Sequence, residues 1–194
     1  MPNFSPRQQE IIEAAIAIIA ENGIQFLTIK NLAKKINVTE GAIYRHFTNK
    51  LEILNGILDL FQARANANFS PAVQDSSAME NLHKIIRGMT ATFVENPAIS
   101  AVIFSEEIFQ NHKHLSDTVF SIMNNNLNTI EQILQTGCEN GEIRTDIPAK
   151  QLAILIMGGM RLTVNRWRLS GYSDNLLQAG EQYWQTVKKI LTNP

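Results

Sequence analysis

A short polar stretch near the N-terminus carries side chains that could form hydrogen bonds with DNA bases. An arginine such as Arg45 can donate two hydrogen bonds to guanine, and a carboxylate such as Glu40 can accept one from cytosine. Gly41 has no side chain and therefore permits a close approach to a base or to the DNA backbone. The residues predicted to face bases are Thr39, Glu40, Gly41 and Arg45.

A second set of side chains around this stretch is suited to binding phosphate. Tyr44 and His46 end in polar groups that can form hydrogen bonds with phosphate oxygens. Thr28 and Lys50 are expected at the starts of helices, where free N–H groups and the helix dipole favour an anion. We therefore predict phosphate contacts from Thr28, Tyr44, His46 and Lys50.

Short helices must position these side chains. The spacing of apolar residues predicts helices over residues 6–22, 29–36 and 39–46. Ser5 and Gln8 are spaced as a capping box for the first helix, and Gly23 is suited to end it. Asn37 tolerates the left-handed backbone that a tight turn between the second and third helices requires.

Apolar residues of the third helix region indicate how it is anchored. Val38, Ile43 and Phe47 can face the two preceding helices, which leaves the polar set directed outward. In a helix-turn-helix, one helix braces while the next lies in the major groove of DNA. The spacing therefore predicts a helix-turn-helix.

At these residues the chain resembles the TetR family of transcriptional regulators. The matching segments are Thr28-Ile29-x-x-Leu32-Ala33, Val38-Thr39-x-Gly41-Ala42-Ile43-Tyr44-x-His46-Phe47 and Asn49-Lys50-x-x-Ile53-Leu54. The resemblance covers about residues 8–55. It implies an all-helical dimer whose N-terminal domain binds operator DNA and whose larger C-terminal domain binds a small-molecule inducer. It also implies the phosphate and base contacts named above, of which the base-facing positions vary within the family.

The remaining sequence is also helical in pattern. A fourth helix should follow Asn49, which is its predicted cap, with Glu52 at the capping-box position. Further helices are predicted over residues 79–95, 98–110, 115–139, 148–169 and 174–191, with a loop over 70–78. We therefore predict an all-α fold. A three-helix helix-turn-helix domain occupies residues 1–50, and a helical-bundle domain for ligand binding and dimerisation occupies residues 51–194.

Aromatic and methionine side chains of the C-terminal half allow two interpretations, an ordinary core or a ligand pocket. Such residues are typical of ordinary core, but the family resemblance implies a cavity between these helices, and methionine suits an adaptable apolar pocket. We expect an apolar or amphipathic ligand there. The predicted pocket residues are Arg87, Met89, Phe93, Phe104, Glu106, Met123, Asn126 and Arg161.

The last two helices are predicted to form a dimer interface, as a four-helix bundle with a second copy. Gly158 and Gly159 inside a helix each cost about 1 kcal/mol relative to Ala, and a close helix approach would offset that cost. Trp167 and Trp184 could anchor an apolar face. The alternative is that these helices pack only within one chain.

Composition and the other motifs exclude several classes of protein. Net charge is −1, although residues 1–50 carry six Lys or Arg against four Glu. We find no catalytic motif, no metal-ligand spacing and no cofactor motif, so we expect neither an enzyme nor a metalloprotein. His112 and His114 fit a solvated loop better than a metal site, and the single Cys138 indicates a reducing compartment. No apolar segment is long enough for a membrane span, and we expect a cytoplasmic protein.

Together these observations predict a ligand-responsive transcriptional regulator. The leading hypothesis is a homodimeric repressor that binds double-stranded operator DNA and is released by a small apolar or amphipathic effector. The alternative is a DNA-binding regulator whose C-terminal domain is controlled by a protein partner.

Overall fold

The structure, a computed structural model, describes residues 4–69, 77–104 and 113–192. The described elements are helices. They are α1 (Pro6–Asn22), a 3-10 turn (Ile24–Phe26), α2 (Ile29–Lys35), α3 (Glu40–Tyr44), α4 (Lys50–Phe69), α5 (Ala78–Glu95), α6 (Pro97–Ile103), α7 (Lys113–Glu139), α8 (Ala149–Leu169) and α9 (Leu176–Thr192). The all-α fold class is confirmed. No helix among the described residues is both long and apolar enough to cross a membrane.

The first of two compact units comprises Met1–Ala63 and Asn96–Phe120. Its α1 begins at the predicted capping box. Ser5 Oγ accepts a hydrogen bond from the Gln8 N–H at 3.2 Å, and Gln8 Oε1 accepts one from the Ser5 N–H at 3.0 Å. The helix ends at Gly23, whose φ of 88° lies in a region that side chains rarely adopt. Its buried stripe packs against α2 and α6, and consists of Ile11, Ile12, Ala14, Ala15, Ile18 and Ile19.

The second unit comprises Arg64–Glu95 and Ser121–Pro194. Within it, α9 packs against α5 and α8. The crossing of α9 over α5 is close at Gly180, where an added Cβ would lie 2.5 Å from Thr90 Cγ2. Thr90 Oγ1 donates to the carbonyl groups of Ile86 and Arg87, so this side chain is held in place. A glycine at position 180 is therefore a packing requirement.

Most predicted helices have nearly the bounds expected from the sequence, and two differences lie between α6 and α7. The helix predicted over 98–110 is described only as α6, from Pro97 to Ile103. His114 lies in the first turn of α7 rather than in a loop, because this helix begins two residues earlier than predicted. His112 lies outside the described residues.

The residues predicted at a dimer interface divide into exposed and buried positions. Trp167 and Trp184 are 6% and 4% exposed and so are core residues of the single chain, contrary to their expected role. His83 stacks on Trp184 with the ring centres 4.9 Å apart. Gly159 also packs within the chain, since an added Cβ would lie 2.5 Å from Tyr183 Oη. Gly158 has no neighbouring atom within 4 Å and is the exposed member of the set.

The close contact at Gly159 explains how Tyr183 fits between α9 and α8. Tyr183 Oη donates a hydrogen bond to the Ile156 carbonyl at 2.8 Å, and burial raises the pKa of Tyr183 to about 12. The missing side chain of Gly159 thus makes room for a tyrosine that ties α9 to α8. The close approach predicted from the two glycines exists, but at Gly159 the partner is a helix of the same chain.

We predict that Gly180→Ala lowers the free energy of unfolding by about 1–2 kcal/mol, because overpacking outweighs the better helix propensity of Ala. Urea titration followed by circular dichroism measures this change. Gly41→Ala is the matched control, since the nearest atom to its added Cβ is Thr39 Oγ1 at 3.9 Å. Equal stability changes for the two variants would contradict the packing argument.

Candidate nucleic-acid interface

Hydrogen bonds and one special backbone conformation define the turn between α2 and α3. Asn37 has φ of 55°, as predicted for this turn. The Val38 N–H donates to the Ala33 carbonyl at 2.9 Å and so closes the end of α2. Thr39 then caps α3, with its Oγ1 accepting a hydrogen bond from the Ala42 N–H at 3.3 Å. The two helices are therefore joined with a fixed geometry.

Buried side chains hold α3 against its neighbours. Ile43 is fully buried and Phe47 is 3% exposed, whereas Val38 is half-buried. Gln8 Nε2 of α1 donates to the His46 carbonyl at 3.3 Å. A helix of five residues is too short to be stable alone, so these contacts determine its position.

The residues predicted to face bases are all exposed. They are Thr39, Glu40, Gly41 and Arg45. Glu40 is the first residue of α3, where a carboxylate interacts favourably with the helix dipole. Among the residues that the structure describes, Glu40 forms no ion pair, so its carboxylate stays accessible.

The third helix is shorter than the predicted 39–46. It ends at Tyr44, and Arg45 is the C-cap residue. The N–H groups of His46 and Phe47 both donate to the Ile43 carbonyl, at 2.9 Å and 3.1 Å. The helix ends early because Phe47 turns into the core. Periodicity alone did not predict this early end.

The residues predicted to bind phosphate lie in the same unit but differ in environment. Thr28 is exposed and caps α2, with its Oγ1 accepting a hydrogen bond from the Asn31 N–H at 3.1 Å. Tyr44 is 51% exposed, and His46 and Lys50 are half-buried. Lys50 Nζ also donates to the Ile24 carbonyl at 3.5 Å, which links the start of α4 to the turn before α2.

The start of α4 differs from the predicted capping box. Asn49 Oδ1 accepts a hydrogen bond from the Glu52 N–H at 3.0 Å, as expected for a cap. The Glu52 carboxylate, however, accepts hydrogen bonds from the Thr48 N–H at 2.5 Å and from Thr48 Oγ1 at 2.8 Å. Because Thr48 follows the buried Phe47, this contact fixes the loop between α3 and α4.

The predicted ligand-pocket residues of the second unit have mixed exposure. Phe93 is 4% exposed, Met89 and Asn126 are half-buried, and Arg87 is exposed. Arg161 and Met123 are in contact, with Nη1 3.9 Å from Sδ. Phe104 belongs to the first unit and is half-buried. Glu106 lies outside the described residues.

Each unit has a cavity that none of these pocket residues lines. In the first unit a cavity of about 360 Å³ is lined by Asn49, Leu51, Glu52, Asn55, Lys113, His114 and Leu115. In the second unit a cavity of about 130 Å³ is lined by Ala78, Asn81, Thr129, Gln132, Ile133, Thr136, Asn140 and Glu142. Both mix polar and apolar side chains, and sequence periodicity did not point to either.

Cys138 and the acidic and histidine side chains offer little reactive chemistry. Burial and the neighbouring Glu139 raise the pKa of the Cys138 thiol, which disfavours the reactive thiolate. Its Sγ donates a hydrogen bond to the Arg144 carbonyl at 3.1 Å. Over the described ranges, no group of three or more His, Cys, Asp or Glu residues could hold a metal ion.

Known protein families match both the N-terminal and the C-terminal part of the chain. The family model of bacterial regulatory proteins, tetR family, matches residues 11–57, and that of the YsiA-like protein C-terminal region matches residues 64–189. The fatty acid metabolism regulator protein of Bacillus subtilis is 27% identical over 181 residues, which cover 91% of each chain. The probable acrEF/envCD operon repressor of Escherichia coli K12 is 26% identical and covers 85% of this chain and 78% of its own.

A solved structure shares the fold over nearly the whole length. The transcriptional regulator FadR of Bacillus subtilis, crystallised with stearoyl-CoA, superposes with a TM-score of 0.77 at 24% identity, covering 94% of this chain and 98% of that one. The fold, together with the exposed helix α3 that follows the turn, defines a DNA-binding helix-turn-helix protein. The chain belongs to the TetR family of transcriptional regulators.

We predict that Arg45→Ala and Lys50→Gln change DNA binding in different ways. Loss of Arg45 should relax preference at one base pair, at a cost of about 1–3 kcal/mol for the preferred base. Loss of Lys50 should weaken binding to every sequence and lower the salt slope by about 0.9 per subunit. Fluorescence anisotropy with single-base duplex variants measures both. If Arg45→Ala weakened all duplexes equally, the base-facing placement of Arg45 would be wrong.

Proposed function

We propose that this protein is a homodimeric repressor that leaves its operator when an amphipathic effector with a fatty-acyl chain binds its C-terminal domain. The observation that carries the DNA-binding part is the exposed outer face of α3, held from behind by Ile43 and Phe47. In this proposal residues 1–50 form the DNA-binding domain and residues 51–194 the ligand-binding and dimerisation domain.

The proposed roles at the DNA follow from exposure and helix position. Thr39, Glu40, Gly41 and Arg45 face base edges in the major groove. Thr28, Tyr44, His46 and Lys50 contact phosphates and fix the orientation of α3 on the duplex. The half-buried His46 and Lys50 are held by contacts of their own backbone or side chain, which limits the entropy lost on binding.

The effector class is supported by two matches from Bacillus subtilis, a sequence named a fatty acid metabolism regulator protein and a solved structure of FadR in complex with stearoyl-CoA. An acyl thioester of this kind combines a long apolar chain with a phosphate-bearing head. Met89, Phe93 and Met123 would contact the chain, and Arg87 and Arg161 would contact the head.

The dimer part of the proposal rests on an exposed leucine seam on α8. Leu155, Leu162 and Leu169 are spaced seven residues apart and are 59%, 60% and 69% exposed. A seven-residue repeat keeps apolar side chains on one face of a helix against a partner helix. Gly158 lies between the first two leucines with open space around it, which allows a second helix to approach closely.

Burial of the seam would contribute apolar surface to the proposed interface. Full burial of a leucine side chain stabilises by about 1.5–3 kcal/mol, and a symmetric interface uses each leucine twice. Leu177 and Ile190 of α9 are also exposed, at 51% and 42%. A two-fold dimer would place two copies of α3 at half-sites about one helical turn of DNA apart.

We predict that stearoyl-CoA releases the protein from DNA, whereas coenzyme A alone and stearate alone do so only weakly. Release requires that the effector bind one conformation more tightly than the other, by about 1–3 kcal/mol in typical cases. The probe is a labelled duplex from the region upstream of its own gene, followed by anisotropy. A complex that is insensitive to all three compounds would overturn the effector assignment, while leaving DNA binding intact.

We predict that Leu162→Glu converts the protein to a monomer, because burying an unpaired carboxylate in the seam is unfavourable. Sedimentation velocity measures the mass, and circular dichroism checks that the helices remain. Val94→Glu is the matched control, since Val94 is 40% exposed on α5 and lies off the seam. A wild-type chain that sediments as a monomer at micromolar concentration would rule out the proposed interface.

A further inference from the structure

The cavity of the first unit lies between the start of α4 and the start of α7. Its volume of about 360 Å³ is within the range of small-molecule sites, which is roughly 300–1,000 Å³. The lining residues Asn49, Leu51, Glu52 and Asn55 come from the start of α4, and Lys113, His114 and Leu115 come from α7. None of them is among the proposed DNA contacts or effector-binding residues, so the proposed function does not use this cavity.

The α4 side of the cavity carries two oxygen atoms that can accept hydrogen bonds. Glu52 and Asn55 are three residues apart and therefore lie on the same side of α4. The two hydrogen bonds from Thr48 both reach Glu52 Oε2, and Oε1 accepts none from the described residues. Asn55 Oδ1 is shielded from solvent and likewise accepts no hydrogen bond there. Because a buried acceptor without a donor is unfavourable, this side favours a ligand with N–H donors.

The α7 side of the cavity carries a positive charge. Lys113 is the first residue of α7, is exposed, and forms no ion pair within the part of the chain that the structure describes. The helix dipole adds to its charge in the first turn. His114 interacts electrostatically with Asp59, whose pKa is raised by burial and lowered in part by this histidine. Lys113 is therefore the cation available to an anionic group of a ligand.

One leucine from each helix completes the lining. Leu51 is half-buried, and Leu115 is buried. A ligand that matches all three parts carries N–H donors, a carboxylate and an apolar group. An ammonium group has three N–H donors, and a carboxylate accepts strong hydrogen bonds from a lysine. A zwitterion fits opposite charges on the two helices, whereas Glu52 would repel a simple anion and Lys113 would repel a simple cation.

We propose that this cavity binds a free α-amino acid with an apolar side chain. The ammonium group of the amino acid donates to Glu52 Oε1 and Asn55 Oδ1, and its carboxylate accepts from Lys113 Nζ. Its side chain packs against Leu51 and Leu115. The site shares no residue with the proposed effector pocket, so it is a second small-molecule site and does not depend on the identity of the effector.

Isothermal titration calorimetry of the intact chain tests this site. The probes are L-phenylalanine and L-leucine, together with phenylalaninamide, which lacks the carboxylate, and 3-phenylpropanoate, which lacks the ammonium group. At least one of the two amino acids should bind at one site per chain. For an aromatic ligand, each analogue should bind about tenfold more weakly or worse than L-phenylalanine, because a hydrogen bond to a charged group is lost. Failure of both amino acids to bind at millimolar concentration would overturn the proposal.

Substitutions assign each charged group of the ligand to its helix. Lys113→Gln should weaken amino-acid binding about tenfold and abolish the preference for L-phenylalanine over phenylalaninamide, whereas Lys113→Arg should retain both. Lys150→Gln is the matched control, since Lys150 is exposed in the first turn of α8 and lies outside the cavity. Asn55→Leu should abolish the preference over 3-phenylpropanoate, and Asn55→Asp, which keeps an acceptor, should retain it.

The remaining outcomes also decide the matter. Phenylalaninamide that binds as tightly as L-phenylalanine would indicate a site for amines, and equally tight 3-phenylpropanoate would indicate a site for carboxylates. Either result would overturn the zwitterion assignment. Amino-acid binding that Lys113→Gln leaves unchanged, or that Lys150→Gln weakens equally, would place the ligand elsewhere. Circular dichroism should show unchanged helix content for every variant.

Discussion

The helix α3 is too short to be stable by itself, and the packing of the first unit compensates for this. A five-residue helix has barely one turn of its own hydrogen bonds, so its formation in isolation is unfavourable. Packing against the core provides the stabilisation that α3 lacks on its own. Ile43 and Phe47 are buried against neighbouring helices, while every polar side chain of the outer face stays exposed. The same burial that stabilises α3 therefore leaves Glu40 and Arg45, on its proposed DNA-facing side, without an ion pair among the described residues.

Hydrogen bonds from residues outside the turn hold the chain segments that flank the helix-turn-helix. The side chain of Gln8 on α1 reaches the His46 carbonyl, and the Glu52 carboxylate on α4 holds Thr48. Lys50 reaches back to Ile24 in the turn before α2. The Gln8 and Lys50 contacts join residues 38 and 26 positions apart in the chain, whereas the Glu52 contact is local and spans four positions. These contacts fix the position of α3 relative to α1 and to the start of α4.

Most features that depend on a few adjacent residues could be predicted from the sequence, whereas packing between distant residues could not. The capping box of Ser5 and Gln8 and the left-handed Asn37 were predicted, because caps and tight turns follow from local hydrogen bonds. The burial of Trp167 and Trp184, the pairing of Gly159 with Tyr183 and the contact of Glu52 with Thr48 were not predicted. The first two depend on which helices pack together, which periodicity does not specify. The seven-residue spacing of the leucines of α8 is present in the sequence, but spacing alone does not show that their side chains are exposed.

The low net charge of the chain fits the release of DNA that the proposed function requires. Non-specific binding comes almost wholly from neutralised phosphates, and a chain of net charge −1 gains little of it beyond its contact surface. Pairing of Arg7 and Lys35 with carboxylates reduces it further. Affinity must then come mainly from a defined set of contacts around α2 and α3, all of which depend on the position of one short helix. Because a coupling of only about 1–3 kcal/mol separates effector-bound from effector-free states in typical allosteric proteins, release is feasible only where the non-specific background is weak. In the proposed function, the anchored α3 and the low net charge both favour DNA binding that a modest conformational bias can reverse.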